Sequence, residues 1–71
     1  MSEIPLGSID RLIRSVGVKR VQIETSKALR EIIENLGIEV VKIAISLVEN
    51  RNQSVISKDD IKLAYDLLKN N

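Results

Sequence analysis

The side chains with which this chain could do chemistry are its arginines and lysines, and what they do best is neutralise phosphate. Arg11, Arg14, Lys19 and Arg20 sit in residues 1–20 with only Glu3 and Asp10 against them, a local balance of 4 − 2 = +2. The other residues carry seven bases and eight acids, hence −1, so the net charge of +1 hides a mild basic bias at one end. Such a bias is compatible with nucleic acid. Other chemistries lack their residues. Without histidine or cysteine, the commonest general base, the thiol nucleophile and the usual zinc ligands are gone. No glycine-rich phosphate loop occurs. The carboxylates are mostly spread over a solvated helix face, so no acid–base pair is indicated. Tyr65 is the only aromatic residue, which argues against a base-stacking platform for single strands. The expectation is a binding protein: not an enzyme, with no metal, cofactor or small-molecule substrate.

The element that must position these bases runs from about residue 22 to 50. Leu29, Ile32, Ile33, Leu36, Val40, Ile43, Ala44 and Leu47 recur at spacings of three and four, one face of a helix. Val41, Ile45 and Val48 add a second apolar row. A helix of that length is a rod of roughly 42 Å, whereas a compact chain of this size is a ball about 28 Å across. One chain cannot cover the rod, so a second chain is expected to. A core this small needs a staple. With disulfides excluded, oligomerisation is the one left.

Around the rod the chain reads simply, as one domain over residues 1–71 without tails. Pro5 and Gly7 make residues 1–7 an extended lead-in. Ser8 is expected to cap a first helix over 8–16, with Ile9, Leu12, Ile13 and Val16 on its inner stripe and Gly17 ending it. Residues 18–21 form a first loop, valines inward and Lys19 and Arg20 outward. Thr25 or Ser26 is a candidate cap for the long helix. Residues 50–54 form a polar second loop. Ser57 and Asp60 read as a capping box opening a third helix over about 58–69, with Ile61, Ala64, Leu67 and Leu68 inside. The N-terminus lacks the apolar run of a signal peptide, and no segment approaches the ~20 apolar residues of a membrane span. A soluble, intracellular protein is expected.

In this order the residues resemble the archaeal histones, from Pro5 to about Leu68 without a gap. The matching positions are Pro5-Leu6, Ile9-x-Arg11-Leu12-Ile13-Arg14, Gly17-x-x-Arg20-Val21, Leu29, Gly37, Ala44, Leu47 and Ile56-x-x-Asp59-Asp60-Ile61-x-Leu63-Ala64. The resemblance implies an all-α histone fold (short, long, short helix) whose chains clasp head to tail as an intertwined dimer. It implies a dimer core of Leu29, Ile32, Ile33, Leu36, Gly37, Val40, Val41 and Ala44, with Gly37 letting the long helices approach closely where they cross. It further implies non-specific binding and compaction of double-stranded DNA on the chromosome, in the cytoplasm. Arg11 would enter the minor groove, Arg14, Lys19 and Arg20 would lie at phosphates, and Ser54 and Lys58 would assist. Dimers would meet through Leu47, Asn50, Asp60 and Leu63 to form a tetramer or a higher assembly on DNA.

Three departures temper that picture. Ser54 and Val55 stand where the family usually has a basic residue and a threonine that pairs with the arginine at Arg20, so weaker DNA binding is expected. Gln53 stands where an arginine usually pairs with the aspartate seen here as Asp60, so that loop-to-helix ion pair is expected to be lost. Asn50 replaces a frequent histidine at the dimer–dimer contact, and Arg51 adds a charge beside it, which puts stacking of dimers in question. The rival reading is a histone-fold partner that pairs with another histone and caps or tunes its filaments, binding little DNA itself.

Overall fold

The computed structural model describes residues 3–70. They form three helices, α1 over Leu6–Arg14, α2 over Ile23–Asn50 and α3 over Lys58–Lys69. Short, long, short is the element order of the histone fold. No strand occurs among the described residues. The chain divides between Asn35 and Leu36, within α2, into two compact units.

In the first unit, α1 begins and ends two residues earlier than the sequence suggests. Pro5 is its N-cap (φ −59°, ψ 136°), and the Pro5 carbonyl accepts from the Ser8 N–H at 3.0 Å. Proline's fixed φ starts the helix, leaving Gly7 and Ser8 inside its first turn rather than ahead of it. The far end closes when the Ser15 hydroxyl donates to the Leu12 carbonyl at 2.6 Å. Gly17, at φ +105°, reverses the chain in the turn beyond, a conformation open mainly to glycine. Val16 therefore falls outside the helix and is 80 % exposed instead of on its inner stripe. Ile9 and Ser26 are buried in this unit. Ser26 is thus a helix-interior residue and not the cap of α2. Gln22 precedes that helix, and its carbonyl accepts from the N–H groups of Thr25 and Ser26 at 3.0 and 3.3 Å.

The lead-in also makes a contact that its residue types do not announce. The Glu34 carboxylate accepts from the N–H groups of Glu3 and Ile4 at 2.6 and 2.8 Å, tying the segment before Pro5 to α2. The bond from Ile4 is the main cause holding the Glu34 carboxyl below its ordinary pKa.

The second unit has a closed apolar centre. Val40 and Ala44 of α2 bury against Ala64 of α3, with Ile43, Leu47 and Leu68 packed around them. The two alanines are fully buried, so the helices approach closely where side chains are smallest. The α3 N-terminus is the capping box foreseen. The Asp60 N–H donates to Ser57 Oγ at 3.2 Å and the Ser57 N–H donates to Asp60 Oδ2 at 2.9 Å, which satisfies two otherwise orphaned donors.

Candidate nucleic-acid interface

Candidate phosphate-binding side chains occur in both units, and each group is set by its own local structure. In the first unit, α1 and the following turn carry Arg11, Arg14, Lys19 and Arg20, all exposed. Arg11 lies back over the first turn of its helix, where its guanidinium donates to Ser8 Oγ at 3.2 Å. That places a cation beside free helix N–H groups and the positive end of the helix dipole, a combination that attracts anions.

Arg14 is differently employed. Its Nε donates to Asp10 Oδ2 at 2.8 Å and its Nη1 donates to the Lys19 carbonyl at 2.6 Å. Its charge is therefore met within the chain, and its evident work is to fix the turn that presents Lys19 and Arg20. Those two side chains pair with no carboxylate among the described residues. Beside them lies an open hollow lined by Ile13, Val18 and Val21 together with Arg14, Lys19 and Arg20. The expected division of the loop is only partly met, because Val21 is half-buried whereas Val18 is exposed.

In the second unit, Ser54 and Lys58 are both exposed. The loop that carries Ser54 corrects one expectation. The loop-to-helix ion pair is present, made by Arg51 instead of a residue at position 53. Arg51 Nη1 lies 2.8 Å from Asp60 Oδ1, and Nη2 donates to Asp60 Oδ2 at 3.0 Å, a forked contact that lysine could not reproduce. Arg51 Nε also donates to Gln53 Oε1 at 3.1 Å, so Gln53 joins the network as an acceptor. With this guanidinium foremost and the Ser57 amide next, the Asp60 carboxyl is held well below the usual carboxylate range. Asp60 in turn raises the pKa of Arg51. The missing signal was reach, because a cation nine positions from a capping aspartate meets it only once the intervening turn is known.

Asp60, expected at a contact between dimers, spends both carboxylate oxygens inside its own unit and is buried. Leu47 is half-buried against the local core, while Asn50 and Leu63 are exposed. Along α2, Val40 and Ala44 are buried within the chain, Leu29 and Ile33 are half-buried, and Ile32, Leu36, Gly37 and Val41 are exposed. Ile32 reaches 63 % exposure, and nothing among the described residues stands within 4 Å of where a Gly37 side chain would begin. Among the described residues no cluster of acidic residues could hold a metal, and no helix is long and apolar enough to cross a membrane.

Comparison with known proteins places this arrangement. One of the chains of the archaeal histone HAN1 from Thermococcus zilligii is 39 % identical over 64 residues, which is 90 % of this chain and 96 % of that one. The family model described as histone-like transcription factor (CBF/NF-Y) and archaeal histone matches residues 2–65. With that match over most of its length, the chain belongs to the histone-like CBF/NF-Y and archaeal histone family.

Proposed function

We propose that this protein is a DNA-binding chromatin protein that pairs with a second copy of itself and bends or wraps double-stranded DNA without reading its sequence. The observation that carries the reading is the state of the cations in the first unit. Arg11, Lys19 and Arg20 are exposed and unneutralised by any carboxylate among the described residues, within a chain of the histone family. Arg11 enters the minor groove, where width and negative potential attract arginine irrespective of base identity. Lys19 and Arg20 neutralise phosphates, with Ser54 and Lys58 assisting from the second unit. Arg14 contributes mainly by holding the turn.

Pairing follows from the apolar side chains left in water. Ile32 and Leu36 of the first apolar row of α2, and Val41 and Ile45 of the second, are all exposed in the single chain, and exposed apolar surface of that kind marks an interaction site. A second copy offers the same side chains, so a self-complementary contact buries both sets. Contacts between dimers, through Leu47, Asn50 and Leu63, belong to the same proposal.

The test is a titration of a random duplex of about 60 base pairs at several salt concentrations. Phosphate tracking gives a linear fall of log affinity with log salt, each neutralised phosphate adding about 0.9 to the slope. A flat line from folded protein would end the DNA reading.

A second reading has observations of its own. The relative's name designates it as a subunit of an archaeal histone, and Val55 leaves the second loop without a hydroxyl there. On this reading the chain pairs with a different histone and modulates its assemblies. A chain that is unfolded alone and folds on adding a partner histone would favour it. A Tm that rises with concentration in the pure protein, as linked folding and association require, would favour the homodimer.

A further inference from the structure

The first helix begins without the local supports that α3 has. Its N-cap is Pro5, whose ring has no acceptor for a helix N–H, and no acidic residue stands in its first turn. Gly7 in that turn is a poor helix former. At nine residues, α1 is shorter than the roughly 12–15 at which an isolated helix becomes even marginal in water. By contrast α3 has its capping box and two acids in the first turn. The start of α1 must therefore be fixed from elsewhere in the chain.

An anchor of that kind stands on α2. Glu34 Oε2 accepts from the N–H groups of both Glu3 and Ile4, at 2.6 and 2.8 Å, across 31 and 30 positions. An ionised acceptor makes the stronger kind of backbone bond, and both bonds land on one oxygen. The two residues just ahead of the cap are thereby held at a single point. Glu34 and Ile4 are each half-buried.

From that point a short path leads to Arg11. Ile4 joins Pro5, whose carbonyl accepts from the Ser8 N–H at 3.0 Å. Arg11 rests on the same turn, with Nη2 donating to Ser8 Oγ at 3.2 Å. Its Nη1 lies 3.6 Å from where a Gly7 side chain would begin. The turn that Glu34 holds is the turn that carries this guanidinium.

We propose that Glu34 is a positioning residue for DNA binding: by pinning the lead-in it fixes the first turn of α1, and with it the direction in which Arg11 enters the minor groove. The proposal rests on the DNA reading above. The negative charge of Glu34 opposes a polyanion, so its benefit lies in its reach as an acceptor. A guanidinium held ready loses less freedom on binding than one that DNA must first order.

Two substitutions separate reach from charge. Glu34→Gln keeps an acceptor oxygen at the same reach and loses the charge. Glu34→Asp keeps the charge and draws the oxygen back by one methylene. Both full-length variants are titrated with the random duplex at fixed salt, at a temperature where circular dichroism shows the same folded fraction as the wild type. Glu34→Asp is repeated in an Arg11→Ala background, and amide exchange at Glu3 and Ile4 is followed without DNA. The two amides should be protected in the wild type and in Glu34→Gln, and lose protection in Glu34→Asp. Affinity should fall on the order of tenfold in Glu34→Asp, the scale of one immobilised side chain, and not at all in Glu34→Gln. Once Arg11 is gone, Glu34→Asp should cost nothing further, because the two residues act as one unit.

Wild-type affinity in Glu34→Asp, or an equal loss in Glu34→Gln, would overturn the proposal. An undiminished cost in the Arg11→Ala background would overturn it too, since Glu34 would then act through something other than Arg11. Unprotected amides in the wild type would do the same whatever the binding. Wild-type affinity in Arg11→Ala alone, or failure of the wild type to bind, would instead end the DNA reading of Arg11 and take this proposal with it.

Discussion

The two units of the chain solve different problems with similar material. The second closes on itself, with Val40, Ala44 and Ala64 forming an apolar centre and Arg51, Gln53, Ser57 and Asp60 forming a polar network whose members satisfy one another. The first stays open. Among its described residues it buries one apolar side chain, Ile9, against the many it exposes, and of the four cations on α1 and the following turn it leaves three unneutralised. Closure suits a region that must hold its own shape. Openness suits one whose partners, a second chain and a polyanion, lie outside it.

The comparison can be broken most severely at the closed centre. Ala64→Glu would bury an unpaired carboxylate where no space or partner exists, costing more than about 3 kcal/mol, and helical circular dichroism should be lost at neutral pH. A folded variant would mean that this centre is not what holds the second unit.

Next in size is Ile32→Asp on the exposed row of α2. If a second copy covers this residue, the pairing contact loses roughly 2 kcal/mol per chain, and light scattering should show dissociation with a lower, more concentration-dependent Tm. A residue left in water would change stability by no more than about 0.5 kcal/mol.

The open unit's charges are tested by the double substitution Arg11→Ala, Arg20→Ala. A dimer then loses four cations, so the salt slope should fall by about 3 to 4 and affinity at moderate salt on the order of 100-fold. Retention of full affinity would sink the DNA assignment of these residues.

The smallest effect concerns acid. Because Arg51 and the Ser57 amide hold the Asp60 carboxyl below its ordinary range, the folded chain keeps it ionised where the unfolded chain would take a proton. The stabilisation is therefore complete above the unfolded pKa of about 4 and is lost as pH falls through the depressed folded value. Asp60→Asn should lower Tm by several degrees at pH 7 and narrow the gap to wild type as both are acidified. Glu34, shifted the same way, remains in both proteins and so cancels from that difference. A constant gap across the acid range would show that the ionised form of Asp60 contributes nothing special.

Sequence alone determined the three helices, the length of α2, the Ser57–Asp60 capping box and the set of bases available for DNA. Each of these is written within a few neighbouring positions, as apolar periodicity, cap chemistry or residue count. The residues matching the histone family were legible for the same reason. The start of α1 was misplaced because Pro5 and Ser8 are both competent beginnings, and proline's fixed φ prevails over a hydroxyl cap. Only the tertiary structure decided which charges are spent. Arg14 and Arg51 look like Arg11 and Arg20 in the sequence, yet beyond the i,i+4 bridge to Asp10 that spacing alone allows, Arg14 is held by the Lys19 carbonyl, and Arg51 by Asp60 and Gln53. Long cationic side chains reach several ångströms in any direction, so their partners are set by where turns bring the backbone. That is a property of the folded chain and not of residue spacing.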